Sequence, residues 1–290
     1  MATYEGTVDY FLRDIGGRIR DWNLNEGTDG RNSRARVMEI FNLSQRTLFR
    51  RARAQIDVEC LTRKATLTQS SSDTTLWYLP ARTIGIQAIE DADEVGYGCV
   101  PSRIYTEQPG VYIQNRTDAL GKQLYFRDVT PSSTVYAWVL EDPVIVSSGT
   151  NAATSSTSIT LNATCQGRVI YDADYYANAP VRITSGADAG EIRTISASTT
   201  GLVCTVTAWT TTPTTTTDTY SLVSTLPREL WSVVCAEAAC LMAATDKEII
   251  DFLPHLKQEA AESWIDAMIA LSRPTAGTVR EPRQTITWIQ

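Results

Sequence analysis

The run from Leu226 to Ser272, LPRELWSVVCAEAACLMAATDKEIIDFLPHLKQEAAESWIDAMIALS, most constrains what this chain can fold into. It is the longest stretch with a helical period. Apolar residues fall at Leu230, Val233, Val234, Ala238 and Leu241, then at Ile249, Ile250, Leu253, Leu256, Ile265, Met268 and Ile269. Residues three and four apart share one face of a helix, so this spacing predicts helices that want a helical partner. The other strong helical signals lie before residue 55, and the sequence between reads as strands. The fold class expected is therefore α+β: a helical bundle from the N- and C-terminal segments, an antiparallel β meander, and an inserted small β-sandwich or barrel domain.

At the N-terminal end, Val8, Phe11, Leu12, Ile15 and Ile19 form an amphipathic stripe that continues across Gly16 and Gly17, with Thr7 placed to cap it. NLNEGTDGRNS reads as a loop. Ser33 can cap a second helix, RARVMEIFNLSQRTLFRRARAQ, whose apolar face is Val37, Ile40, Phe41, Ser44 and Leu48. Residues 1–56 are thus assigned to the helical body. From 57 to 142 the period drops to two. VECLTRKATLTQ, TTLWYLP, TIGIQAIEDA, SRIYTE, GVYIQNR, QLYFRDV and TVYAWVLE read as short strands punctuated by Pro80, Pro101, Pro109 and Pro131. Residues 143–224 are rich in Thr and Ser and form the expected inserted β domain. Residues 225–272 return to helix. Pro227 sits at a helix start, Thr245-Asp246-Lys247-Glu248 has capping-box form with a helix following, and Pro254 breaks or restarts that helix in its own first turn. Residues 273–290 are a tail ending in Ile286, Trp288 and Ile289. Large apolar residues there either add a strand to the chain's own fold or dock on another chain.

The 290 residues carry a net charge of −7, which disfavours a general nucleic-acid binder without excluding a channel through which DNA passes unbound. No apolar run approaches the ~20 residues that span a bilayer, so no membrane partner is expected. MATYEGTVDYF lacks the charged and apolar regions of a signal peptide. Cys60, Cys99, Cys165, Cys204, Cys235 and Cys240 are scattered with no CxxC pair, which predicts buried free thiols and no zinc site.

Chemistry is sparse. His255 is the single histidine, and any Ser-His-Asp or Cys-His mechanism would have to use it. HExxH, GxSxG, GxGxxG and Walker patterns are absent. SGADAGE is followed by a β stretch, so it offers no phosphate-cradling helix. Asp172 and Asp174 read as a polar turn before a calcium site, and Glu90, Asp91, Asp93 and Glu94 as a solvated acidic loop before half of a glycosidase pair. No enzyme, no cofactor and no metal are expected. The clearest electrostatic feature is the set Arg31, Arg34, Arg36, Arg46, Arg50, Arg51 and Arg53 against one acid, Glu39. Arg46, Arg50 and Arg53 share a helical face. Two readings stand: a solvated face paired with acids of this chain, or a contact for an acidic partner surface or a phosphate.

Residues 181–224 carry Ser185-Gly186, Ala189-Gly190, Arg193-Thr194-Ile195, Trp209 to Pro213 and Tyr220 to Leu222. This series resembles a module of tailed-phage structural proteins, in which an SG…AG turn, an RTI strand, a W-T-T-x-P stretch and a Y-x-L close follow one another. The remainder is similar to the phage head-to-tail adaptor (connector) family. Asp21, Asn42-Leu43-Ser44-Gln45 as N-x-x-Q, Leu79-Pro80, and a closing helical pair with a tail carry that likeness. The resemblance implies a virion structural protein at the head-tail junction, made in the host cytoplasm. It implies helices in a bundle and a ring of copies, usually a dodecamer, beneath the portal protein. A downstream tail or nozzle protein, and capsid or tail fibres, are implied as further partners. Arg280, Arg283, Ile286, Trp288 and Ile289 would dock the tail on the portal. The alternative is another phage tail or baseplate protein that uses its β domain to bind a partner or a glycan.

Overall fold

The computed structural model describes residues 4–20, 33–54, 61–97, 99–101, 110–115, 122–162, 170, 172–214, 217–247 and 249–272. The chain folds into two compact units, one of Met1–Ile56, Pro143–Tyr171 and Tyr176–Arg273, the other of Asp57–Asp142, Asp172–Tyr175 and Pro274–Gln290.

In the first unit, α1 spans Val8–Ile19 and α2 spans Arg34–Ala52. The stripe of α1 is wholly buried, and Phe11 stacks on Phe41 of α2 at 4.2 Å between ring centroids. Ser33 caps α2 by accepting the Arg36 N–H. Thr7 stands at the N-cap of α1 but its hydroxyl turns back to the Tyr4 carbonyl. After a 3-10 turn at Arg228–Leu230 comes α3, Trp231–Thr245. It packs against α1 and α2 and against α4, Leu253–Ser272. Ala236, Ala238, Ala239, Cys235 and Ala243 are all buried, and such small side chains let neighbouring helices approach α3 from several sides.

The capping box at Thr245 does not open a helix directly. A 3-10 turn at Ile250–Phe252 intervenes, and α4 starts at Leu253 with Pro254 in its first turn, where the missing N–H is harmless. The apolar face expected for α4 is also corrected. α4 buries Leu256, Ala260, Trp264 and Ala267, while Ile265 and Ile269 are 56% and 49% exposed.

The rest of the first unit is one seven-stranded antiparallel sheet. Its strands are β10 (Ser148–Thr150), β11 (Ala153–Ser155), β12 (Ser158–Thr160), β13 (Pro180–Ile183), β14 (Ile192–Ser198), β15 (Val203–Val206) and β16 (Thr219–Leu222). The order is β10-β16-β13-β14-β15-β12-β11. Its two edge strands are neighbours in sequence, joined only by Asn151 and Ala152. A sheet whose opposite edges are linked by two residues has to curl back on itself. Val181, Ile183, Ile195, Cys204, Val206, Tyr220 and Leu222 fill its inside. At Gly186 a glycine is forced: φ is +92°, and a Cβ there would lie 2.2 Å from Oδ1 of the buried Asp218.

The second unit holds two sheets. One has the order β1-β9-β4-β5, from β1 (Thr62–Thr66), β4 (Thr83–Asp91), β5 (Gly96–Tyr97) and β9 (Val135–Glu141). The other runs β2-β3-β8-β7-β6, from β2 (Thr68–Gln69), β3 (Leu76–Tyr78), β6 (Cys99–Pro101), β7 (Gly110–Asn115) and β8 (Lys122–Arg127). The chain passes from one sheet to the other at the buried Leu67, and both contribute to a core with Trp77, Ile89, Val111, Leu124, Phe126 and Val139. The expected meander is corrected here. β9 inserts between β1 and β4, and β6 runs parallel to β7. The expected strand SRIYTE lies outside the described residues.

The helical-bundle framework is overturned as well. Among the described residues, three sheets of sixteen strands stand against four α-helices, so the protein is mostly β. The physical reason is that strands of two to four residues show little period in sequence yet pair over long separations.

Between the two kinds of element lies Pro143–Ser147, five consecutive buried residues in no strand or helix. Buried backbone groups need partners. Here side chains of α2 supply them. Val146 N–H donates to Asn42 Oδ1 at 2.8 Å and Asn42 Nδ2 donates to the Val146 carbonyl at 2.9 Å. Gln45 Nε2 donates to the Val144 carbonyl at 2.7 Å and to Asn42 Oδ1 at 3.0 Å. Ser224 Oγ donates to Gln45 Oε1 and accepts from Leu226 N–H, and Val144 N–H donates to Thr225 Oγ1. Asn42→Ala leaves both polar groups of Val146 without their partner. The expected loss is on the order of 2–3 kcal/mol in urea unfolding, against less than about 0.5 for Glu39→Ala on the exposed side of α2.

Candidate interaction surface

α2 points one face at α1 and α3 and leaves a basic face outside. The arginines of this region divide. Arg34 pairs with Asp9 and reaches Ser148 Oγ, and Arg36 reaches Thr245 Oγ1. Arg51 lies 3.8 Å from Glu237 of α3 and stacks 4.3 Å over the ring of Trp264 of α4. These are used inside the fold. Arg46 is half-buried, and its Nε–H is shielded from water with no hydrogen-bond partner. Arg46 and Arg53 form no ion pair among the described residues. Arg50 is exposed one turn beyond Arg46. Leu43, on the same outer side, is 59% exposed. Arg31 and Asp21 lie outside the described residues, as do Arg280, Arg283, Ile286, Trp288 and Ile289 of the tail.

Between α2, α3 and α4 runs a groove of about 290 Å³ lined by Arg51, Glu237, Cys240, Leu241, Lys257 and Ala261. Its floor is apolar and its rim carries both charge signs. Burial pushes the Cys240 thiol up to about 11, so it is protonated at neutral pH and a poor nucleophile. Beyond the groove, α4 exposes Ile265 and Ile269 on a side that also carries the exposed Glu262 and Asp266. The period of the sequence picked out Leu241, Ile250, Ile265 and Ile269 as partner-seeking residues. All four are exposed, and the chain's own helices leave them without cover. Glu262 and Asp266 were not singled out by sequence reasoning. Their signal is present, because Glu262 precedes Ile265 by three residues and Asp266 precedes Ile269 by three, the spacing of neighbours on one helix face.

The candidate chemical residues have structural surroundings. His255 is an exposed residue of α4. Asp91 is the hub of its own loop. It accepts N–H groups from Asp93, Val95 and Ser132 and the Tyr97 hydroxyl at 2.7 Å. The Tyr97 bond and then those amides hold its carboxyl below the usual range, while burial, followed by the bond to Asp91, pushes Tyr97 up to about 12. Glu90 pairs with Lys64 at 2.5 Å. The two carboxylates therefore serve different structural bonds. Asp174 has φ 58° within a turn. Among the described residues, no group of three or more His, Cys, Asp or Glu could hold a metal ion. Cys204, Cys235 and Cys240 are buried free thiols, while Cys60, Cys165 and the Cys99 side chain lie outside the described residues. No helix described is long and apolar enough to cross a membrane.

No protein-family model matches the chain, and no curated protein matches it.

A carboxyl held low stabilises the fold above the ordinary carboxylate pKa of about 3.9 and loses that contribution as pH falls through its folded value. Asp91→Asn removes the titrating group. The melting temperature of the wild type should exceed that of Asp91→Asn at pH 7, and the gap should narrow below about pH 4. A gap that stays constant with pH would show that Asp91 is not ionised in the folded loop.

Proposed function

We propose that this chain is a virion structural protein, the head-to-tail adaptor that forms a ring beneath the portal, links capsid to tail and extends the DNA channel. One observation carries the reading. The helices keep Leu43, Leu241, Ile250, Ile265 and Ile269 exposed, and large apolar side chains left in water on helix faces mark surfaces that assembly covers. The adaptor-like N-x-x-Q lends support, because Asn42 and Gln45 are buried and tie α2 to the returning chain rather than decorating a surface. In this reading the work is assembly. Helical faces of α2, α3 and α4 pack between copies. The tail, through Arg280, Arg283, Ile286, Trp288 and Ile289, docks on the portal. The acidic balance of the chain keeps passing DNA from sticking. The downstream tail or nozzle protein takes the far side of the ring.

The test is reconstitution of the purified chain with its portal, imaged by electron microscopy, with and without residues 273–290. The full chain should add a ring to the portal and the shortened chain should not. A full chain that adds nothing refutes the adaptor role and favours a tail or baseplate protein that assembles without a portal. A shortened chain that binds equally well refutes the docking role of the tail alone.

A further inference from the structure

Asp142–Pro143 is the single Asp-Pro step of the sequence. In such a step the side-chain carboxyl can close a ring on to its own peptide carbonyl. The nitrogen beyond belongs to a tertiary amide with no N–H. The nucleophile is thus always near its target, and what a fold adds is the environment of that carbonyl. Here β4 and β9 pair with Thr83 opposite Glu141, which brings Arg82 and Asp142 together just past the ladder. Arg82 is 6% exposed. Its Nη1 donates to the Asp142 carbonyl at 2.8 Å, and its own carbonyl accepts the Asp142 N–H at 2.9 Å. Glu141 steadies the guanidinium at 3.4 Å and is itself gripped by Arg63 through bonds of 2.6 and 3.1 Å. Asp142 Oδ1 is shielded from water, and Pro143 is buried.

From this geometry we infer that the folded chain cuts itself between Asp142 and Pro143. The Asp142 carboxyl attacks the carbonyl carbon of its own residue. A C–O bond forms and negative charge develops on the carbonyl oxygen. Arg82 is already aimed at that oxygen, and a fixed cation in a site poor in water stabilises such charge better than solvent does. The C–N bond to Pro143 then breaks. The nitrogen leaves with the proton that the carboxyl gave up, and a cyclic anhydride remains on Asp142. One water molecule opens the anhydride, so Asp142 ends in a free carboxyl and Pro143 begins with a free amine. The two bonds between Arg82 and Asp142 also hold this backbone still, which leaves less ordering to be done at the moment of attack. Asn42 and Gln45 keep their bonds to Val146 and Val144 after the cut, so the two pieces stay associated until the chain is denatured.

The experiment is mass spectrometry, under denaturing conditions, of the full chain after incubation at about pH 5, close enough to the ordinary carboxylate pKa of about 3.9 for part of the carboxyl to hold its proton. The same chain kept in urea at that pH gives the rate of the bond without its fold. The folded wild type should yield residues 1–142 and 143–290 on the order of 10²-fold faster than the unfolded chain, the effect of one well-placed oxyanion donor. In water enriched in heavy oxygen, label should enter the side-chain carboxyl of Asp142 as well as the new chain end, because water opens an anhydride at either carbonyl. Direct hydrolysis, or a contaminating protease, labels the chain end alone. Asp142→Asn and Pro143→Ala should stay whole over the time in which the wild type is cut. Arg82→Gln should bring the folded rate down to the rate in urea. Circular dichroism checks that the variants fold. Should Arg82→Gln unfold, the comparison of folded with urea-unfolded wild type carries the test by itself. Equal rates in the folded and unfolded chain, label confined to the chain end, or a folded Asp142→Asn or Arg82→Gln that is cut as fast as the wild type overturns the inference.

Discussion

The pair Asn42 and Gln45 does what no strand does in the first unit. Pro143–Ser147 runs buried beside α2 in no helix or strand, and a buried chain without a ladder would leave its amides and carbonyls orphaned. Asn42 presents a donor and an acceptor in the geometry of a peptide group and closes a two-bond pairing with Val146. Gln45 extends the pairing to Val144 and takes the Ser224 hydroxyl. One turn of one helix thereby fixes two distant segments: the stretch that leads into the curled sheet and the stretch that leads out of it to α3. The sheet and the helices are held as one body by polar side chains inside an apolar setting, where each such bond is strong and each omission is costly.

The curled sheet imposes the second constraint. Its edges meet through Asn151 and Ala152, so the unit presents no long open strand edge. Asn151 N–H donates to the Asp218 carbonyl, its side-chain amide to the Thr214 carbonyl, and Asp218 Oδ2 takes the Thr214 N–H. This knot closes the end of the sheet, and Gly186 gives the space that Asp218 fills. With the sheet edges joined, the exposed apolar groups of the first unit gather mainly on the helices. That separation lets one part of the unit be finished and another part remain to be covered.

Much of this was legible where the signal is local. The stripe Val8, Phe11, Leu12, Ile15, Ile19 and the cap at Ser33 follow from period and cap chemistry alone. Other features depend on partners the sequence does not write down. On α4, Trp264 with Ala260 and Ile265 with Ile269 are equally well spaced, and contact with α3 decides which pair is buried. Small Ala260 and Ala267 allow α4 to come close, with Trp264 filling the seam, so the isoleucines stay outside. The order β1-β9-β4 could not be read because β9 pairs with strands far behind it in the chain. Strands such as β10 and β11 are too short to show a period, which is why the bundle expected from the two ends gave way to a mostly β protein. N-x-x-Q was visible as a motif, but its acceptor at Val146 is 104 residues away.

Amide hydrogen exchange at Val146 tests the clasp most directly, because that N–H is bonded to a side chain and to no other backbone group. If Asn42 and Gln45 hold the first unit together, the Val146 amide opens only with the unit as a whole, at the same opening free energy as the buried α3 amide of Ala239. A Val146 amide that exchanges through small local openings while Ala239 stays protected would contradict the account.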